Sequence, residues 1–209
     1  VEGRRGRAGG LRAADAQLLA ELAAAGAEWV QLDEPGLVNE NVDVDRAEIR
    51  DAVRVAYARI AGATDRPAIL VAAPYGDLGE ALPALNGVEA IAIDLVRGAA
   101  PAEWPADAVL VAGVIDGHNI WRADLDAKLH TLQSLGAPTV AVGTSTSLFH
   151  VPHDVADEPA LDPTLASWLA FADQKVGEVV TLATGLTQGR EAIGEQLQAA
   201  AEAIRGRAQ

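Results

Sequence analysis

The chain contains no cysteine, so its own residues can form neither a disulfide nor a zinc site with thiolate ligands. Basic residues are also scarce, because 16 Lys and Arg stand against 30 Asp and Glu and leave a net charge of −14. That charge argues against binding to nucleic acid or to an anionic membrane, since both would repel the chain. No apolar run approaches the ~20 residues that span a bilayer, and we expect a cytoplasmic protein.

The length and composition indicate a single globular domain of ordinary size. The chain has 209 residues, and half of them are hydrophobic. The first residues, VEGRRGRAGG, combine arginines with glycines and lack the apolar core of a signal peptide, so we expect a flexible tail at 1–10. We expect the main domain at 11–186 and a C-terminal helix within 187–209.

Five apolar runs alternate with stretches of helical periodicity. The runs are continuous, as in AILVAA at 68–73, which is typical of strands buried on both faces. The alternation predicts an α/β fold with a parallel sheet covered by helices. It fits a partial (β/α)8 TIM barrel of about five βα units with C-terminal helices, and it fits a five-stranded doubly wound sheet equally well. The predicted strands are 29–32, 68–73, 90–96, 108–117 and 139–147, and the predicted helices are 11–25, 45–61, 78–85, 123–135, about 163–183 and about 190–204.

Polar residues follow the predicted strands on their C-terminal sides. In a parallel sheet these ends meet at one edge, where barrels and doubly wound sheets carry their sites. We therefore expect the main pocket at this edge. The candidate site residues are Asp33, Glu34, Asp77, Asp94, Asp116, His118, Asn119, Ser145, Ser147 and His150.

The stretch EWVQLDE at 28–34 places two carboxylates side by side and is followed by Pro35. Neighbouring residues on a strand point to opposite faces, so Asp33 and Glu34 face one ligand only if the strand has already ended. One of them could bind an amine or act as a base, or both could be hydrogen-bonded loop acids. Glycoside hydrolysis would need a second acid such as Asp94 or Asp116, but the chain has few aromatic residues to stack on a sugar.

Two loops concentrate residues with catalytic chemistry. In GVIDGHNIWRADL at 113–125, His118 could titrate near neutral pH, and Asp124 could cap the next helix. In GTSTSLFHVPHD at 143–154, a serine with His150 could form a nucleophile and its base, although no G-x-S-x-G elbow is present. His153 and Asp154 add metal-ligand types to this loop, but a hydrogen-bonded loop is the better interpretation, and we expect no metal site.

Several segments together resemble one known family. They are GAEWVQLDEPGLV at 26–38, GVIDGHNIWRADL at 113–125, TSTSLFHVPHDV at 144–155 and LASWLAFADQKVGEV at 165–179, with APYGDLGEAL at 73–82 and IAIDLVRG at 91–98 in order between them. This set is similar to the amino-terminal domain of cobalamin-independent methionine synthase. The likeness extends from about 18 to 186, and the chain departs from the family pattern at His118, where an arginine is usual.

The resemblance implies an activity and its molecules. The family transfers a methyl group from methyltetrahydrofolate polyglutamate to homocysteine, and its members have two fused (β/α)8 barrels. The family's zinc belongs to the other barrel, which implies that this chain alone binds no cofactor. The D-E-P motif occurs in both barrels, so the resemblance implies that Asp33 preserves the barrel architecture here instead of binding homocysteine.

Two hypotheses follow from the resemblance and from the count of five strands where a closed barrel has eight. The chain is expected to be a truncated portion of the methyltransferase that is inactive by itself. Alternatively, it is a non-catalytic scaffold that completes a barrel with a companion methionine synthase polypeptide. A stand-alone enzyme of another kind, such as a barrel lyase or a glycosidase, is a third hypothesis.

Overall fold

The computed structural model describes residues 16–39 and 43–208 of the chain. The predicted tail at 1–10 and the start of the predicted helix at 11–25 lie outside these residues. Helix α1 covers residues 16–24 of the described part. No helix in the described ranges is long and apolar enough to cross a membrane.

The core of the fold is one sheet of five parallel strands in the order β1-β2-β3-β4-β5. Each strand pairs with the strand that precedes or follows it in sequence. A doubly wound sheet reverses its strand order at a switch point, and this sheet does not. The fold is therefore α/β with the strand order of a partial (β/α)8 barrel, as predicted. The strands are β1 Trp29–Asp33, β2 Ala68–Ala73, β3 Ala90–Asp94, β4 Val109–Ile115 and β5 Val140–Thr144.

Helices connect most of the strands and cover one face of the sheet. The connection from β2 to β3 is a 3-10 helix, Gly79–Leu85, with Pro83 inside it. Proline has no amide hydrogen to donate within a helix, which explains why this predicted helix is short and irregular. The α-helices are α2 Arg46–Ala61, α3 Leu125–Gln133, α4 Pro163–Trp168, α5 Ala172–Gln188 and α6 Gly194–Arg207, and the other 3-10 helices are Pro35–Leu37, Leu148–His150, Val155–Asp157 and Arg190–Ile193.

Aspartate side chains cap the first turns of three helices. Asp45 accepts a hydrogen bond from the amide of Ala47 at the start of α2. Asp124 does the same for α3, as the sequence predicts, and Asp162 does so for α4. Each cap satisfies an amide that has no partner within its own helix.

The helix predicted at about 163–183 is two helices, α4 and α5. Between them the chain is extended, and Leu169 forms an antiparallel bridge with Trp121. The amide of Ala170 donates to the carbonyl of Ile120, and the amide of Arg122 donates to the carbonyl of Trp168. The helical pattern of the sequence gives way here because the backbone pairs with the loop after β4.

The two faces of the sheet differ in burial. Alternate residues such as Ile69, Val71, Ile91 and Ala112 are completely buried in a core with the helices. Most of the residues between them, which point to the other face, are only half-buried or exposed, although most are apolar; Ala90, Asp94 and Gly113 on that face are buried. The sequence predicts strands that are buried on both faces, and among the described residues this prediction is confirmed for one face only. The inner face, as we call the second one, includes Gln31, Asp33, Leu70, Ala72, Ala92 and Val111.

Candidate functional site

A cleft of about 390 Å³ lies over the inner face and the carboxyl ends of the strands. Its floor is apolar, and its rim carries hydroxyl groups from the chain that follows β5. Of the candidate residues, Asp33, Ser145 and Ser147 line it. The lining residues are Gln31, Asp33, Pro35, Leu70, Ala72, Ala73, Pro74, Tyr75, Ala92, Ile93, Val111, Gly143, Thr144, Ser145, Thr146 and Ser147.

Asp33 and Glu34 point to different sides of β1, as strand alternation requires. Asp33 lines the cleft, and its Oδ1 accepts a hydrogen bond of 2.8 Å from Nε2 of Gln31. Glu34 instead accepts a 2.8 Å hydrogen bond from the hydroxyl of Tyr57 on α2. Burial, together with the charge of Glu34, raises the pKa of Tyr57 above its ordinary value. Glu34 therefore joins β1 to a helix and does not face the cleft.

Asp94 stabilises the backbone around the ends of β2 and β3. Its side chain is buried, with 1% exposed, and accepts hydrogen bonds from the amides of Tyr75, Val96 and Arg97. The Arg97 guanidinium lies 3.7 Å from the same carboxylate. With its oxygens engaged in this way, Asp94 has a structural role. Asp77, on the loop after β2, is exposed.

A cluster of Tyr75, His118 and His150 joins the loops that follow β2, β4 and β5. The hydroxyl of Tyr75 lies 2.8 Å from Nε2 of His150. The rings of His118 and His150 meet edge to face, with their centroids 4.5 Å apart. Tyr75 has a φ of 78°, a left-handed conformation that is rare for a residue with a side chain. The sequence gives no signal for this backbone conformation, and Tyr75 was not among the predicted site residues.

The loop after β4 is held by its own polar side chains. Asp116 accepts hydrogen bonds from the amide of His118 at 2.8 Å and from Nδ2 of Asn119 at 2.7 Å. Asn119 in turn accepts from the amide of Trp121 at 3.0 Å. These bonds place His118 beside the loop after β5, and they make Asp116 and Asn119 structural groups.

Lys175 on α5 also stabilises the loop after β4, and the sequence does not predict this role. Its ammonium group donates to Oδ1 of Asn119 and to the carbonyl of Trp121, both at 3.3 Å. Only 1% of the residue is exposed. This burial lowers the pKa of Lys175, although the negative charges of Glu178 and Asp116 act to raise it. The helical spacing of the sequence could have indicated that Lys175 is buried, because Lys175 and Glu178 lie on the buried side of α5 with Leu182.

The serines near His150 do not form a nucleophile and base with it. Ser145 is buried, and its hydroxyl accepts from the amide of Gly117 at 3.3 Å. The hydroxyl of Ser147 accepts from the amide of Phe149 and caps a short 3-10 helix. His150 is paired with Tyr75 instead. Both serines therefore stabilise the turn after β5.

The described side chains do not fit a zinc ion. No group of three or more His, Cys, Asp or Glu side chains among them could hold a metal. His153 lies 3.8 Å from each of two carboxylates, those of Asp157 and Asp173. Asp154 accepts from the amide of Ala156 and from Nε2 of Gln174. These contacts are those of a hydrogen-bonded loop.

Comparison of the sequence with known proteins shows its family. The family described as cobalamin-independent synthase, N-terminal domain, matches residues 7–139, which is more than half of the chain. Three relatives are named 5-methyltetrahydropteroyltriglutamate–homocysteine methyltransferase. The protein of Rhodococcus jostii is 52% identical over 188 residues, which are 87% of this chain and 24% of the relative. The protein of Streptomyces avermitilis is 49% identical, covering 88% and 25%, and that of Mycobacterium tuberculosis is 47% identical, covering 91% and 26%.

The chain thus spans about a quarter of the length of these curated relatives. The matched residues include β1 to β4 and the side chains around Asp33, Asp94 and Asp116. On this evidence the chain belongs to the family of cobalamin-independent synthase N-terminal domains.

Proposed function

We propose that this chain serves as the amino-terminal-domain portion of a 5-methyltetrahydropteroyltriglutamate–homocysteine methyltransferase and does not transfer the methyl group by itself. The names of its relatives supply the methyl donor and the acceptor, and the product of that transfer is methionine. In this proposal the chain acts in the cytoplasm. The chain's share in the reaction is architectural.

The open inner face of the sheet carries this proposal. A closed (β/α)8 barrel fills its interior with layers of side chains from eight strands. Here Leu70, Ala72, Ala92 and Val111 are apolar residues of three of the five strands, and they face a cleft. Such residues are suited to pack against further strands of a barrel, and packing them would bury apolar area.

The side chains around the cleft also favour a structural role. Asp33 is the charged residue among those that line the cleft, and it is exposed at the end of an edge strand. The serines after β5 are engaged with backbone amides. In this proposal the zinc of the family's reaction is held by another part of the enzyme, and this chain binds none.

A methyl-transfer assay tests the proposal. The purified chain is incubated with 5-methyltetrahydropteroyltriglutamate, homocysteine and zinc, and methionine is measured by mass spectrometry. The Rhodococcus jostii relative, assayed in parallel, shows that the reagents are competent. We expect methionine from the relative and none from the chain, and turnover by the chain would contradict the proposal.

A second candidate function is that of a non-catalytic scaffold that completes a barrel with a companion polypeptide. The exposed edge of the sheet favours it, because β1 pairs only with β2 in the described residues and Trp29 is 53% exposed. An uncovered parallel edge presents unpaired backbone groups to other strands. Sedimentation velocity tests it, because a scaffold of this kind should associate with a version of the relative from which the matching stretch has been deleted. A chain that remains a stable monomer, unfolds cooperatively and does not bind the shortened relative would contradict the scaffold function.

A further inference from the structure

A second cavity, of about 240 Å³, lies in the helical layer between α5 and α6. It shares no lining residue with the cleft over the inner face. It is smaller than the sites that hold drug-sized molecules, so its size suits a ligand of few atoms. The lining residues are Arg122, Leu125, Gln174, Gly177, Glu178, Thr181, Gln196, Ala199 and Ala200.

Two unpartnered polar atoms belong to residues of this cavity. Within the described ranges, three buried side-chain atoms have no hydrogen-bond partner, and two of them are Nε of Arg122 and Oε2 of Glu178. Glu178 is only 9% exposed, and its other oxygen accepts a 2.9 Å hydrogen bond from the amide of Ala123. Proteins seldom leave such groups without partners, so each one requires an explanation.

These two residues present opposite charges without pairing with each other. Burial raises the pKa of the Glu178 carboxyl, and the amide of Ala123, the charge of Lys175 and the charge of Arg122 oppose this shift, in decreasing order. Two of the neighbouring polar side chains are already engaged. Gln174 accepts from the amides of Phe171 and Val155, and the Thr181 hydroxyl donates to the carbonyl of Gly177.

We propose that this cavity binds a small zwitterion, an α-amino acid, with its carboxylate on Arg122 and its ammonium group on Glu178. A guanidinium group and a carboxylate are the natural partners of these two charges. Gly177, Ala199 and Ala200 leave room for a short side chain. Amino-acid binding at this cavity does not require methyl transfer, so its test does not depend on the proposed function.

Isothermal titration calorimetry with singly and doubly charged probes tests the ligand class. Glycine and L-alanine are titrated into the purified chain, and propionate and ethylamine serve as probes that carry one charge each. We expect saturable binding of the two amino acids and at least tenfold weaker binding of the others. The absence of saturable binding, or equal binding of propionate or ethylamine, would overturn the proposal.

Two variants test the location. Glu178→Gln removes the negative charge and keeps an oxygen for the amide of Ala123, and Ala199→Leu fills the cavity from an exposed position on α6. Both should weaken alanine binding at least tenfold, whereas Ala192→Leu, at an exposed alanine outside the cavity, should not change it. Circular dichroism checks the folding of each variant. If Glu178→Gln does not fold, Ala199→Leu decides, and unchanged affinity in that variant contradicts the proposed site.

Discussion

The hydroxyl of Tyr75 lies 2.8 Å from Nε2 of His150, although two strands, β3 and β4, separate the strands that precede these residues. The contact spans 75 positions of sequence. A sheet that curls, with its carboxyl ends around a common opening, accounts for this meeting of the loops after β2 and β5. Curling of this kind is what the wall of a barrel requires.

The left-handed backbone at Tyr75 gives a prediction about stability. Tyr75→Gly and Tyr75→Ala both remove the ring, but only glycine adopts a positive φ without steric cost. We expect the glycine variant to be more stable than the alanine variant by about 1 kcal/mol, because the left-handed conformation costs other residues about that much. Urea unfolding of the two variants measures the difference. An alanine variant at least as stable would show that φ is not positive in solution.

The unequal burial of the two sheet faces predicts unequal tolerance of charge. Ala92 lies on the inner face and lines the cleft, whereas Ala112 on the neighbouring strand is completely buried on the helical side. Ala112→Asp should lose at least ~3 kcal/mol of unfolding free energy, because it buries an unpaired carboxylate. Ala92→Asp should lose about 1 kcal/mol or less, since water reaches its position. Chemical denaturation compares them, and equal losses would mean that the inner face is covered.

Asp94 provides a test of the loops at the carboxyl edge. Asp94→Ala would leave the amides of Tyr75, Val96 and Arg97 without their acceptor. We expect a loss of about 3 kcal/mol or more, because hydrogen bonds to a buried charged group are strong. Asp94→Asn retains one acceptor oxygen and should lose about half as much. Urea unfolding gives both values, and a negligible loss in the alanine variant would argue against the structural role.

The Arg66–Glu89 pair predicts a pH dependence of stability. Arg66 donates two hydrogen bonds to the Glu89 carboxylate, of 2.8 Å and 2.9 Å, and this bonding lowers the pKa of Glu89 in the folded chain. A lowered folded-state pKa means that the stabilisation is present above the unfolded-state pKa, about 4.3, and is lost as the pH falls through the folded-state value. Solvent screens the partly exposed Glu89, so we expect Glu89→Gln to lose only about 1 kcal/mol at pH 7.

Unfolding measurements over a series of pH values distinguish the loss of this ion pair from the general effect of acid on stability. The difference between the parent chain and Glu89→Gln should shrink toward zero as the pH falls below about 4. Glu103→Gln, at an exposed glutamate, should match the parent chain at each pH. A Glu89→Gln deficit that persists at low pH would show that the ion pair is not its cause.

The sequence predicts the strands well because parallel strands are continuous apolar runs. The run at 68–73 coincides with β2, and strand alternation correctly places Asp33 and Glu34 on different sides. The predicted strands 90–96 and 108–117 end two residues early, at Asp94 and Ile115. At Asp94 the cause is local, because its side chain accepts from the amides of Val96 and Arg97 and turns the chain.

Other features depend on contacts between distant segments and leave little trace in the sequence. The break between α4 and α5 comes from pairing of Leu169 with Trp121. The Tyr75–His150 contact joins loops that follow β2 and β5, and the position of Lys175 follows from the polar loop that it supports. Of the five candidate carboxylates, Asp94 and Asp116 accept hydrogen bonds from backbone amides, because the same residue types that catalyse reactions also terminate strands.

A reconstitution assay tests the central claim, that this chain is the amino-terminal-domain portion of the methyltransferase, most directly. The chain and the Rhodococcus jostii relative lacking its matching stretch are assayed for methionine formation separately and together, with methyl donor, homocysteine and zinc. We predict no methionine from either protein alone and measurable methionine from the mixture, and none when the chain carries Ala112→Asp, which disrupts the core of the sheet. Methionine formation by the chain alone, or a mixture no more active than its parts, would contradict the account.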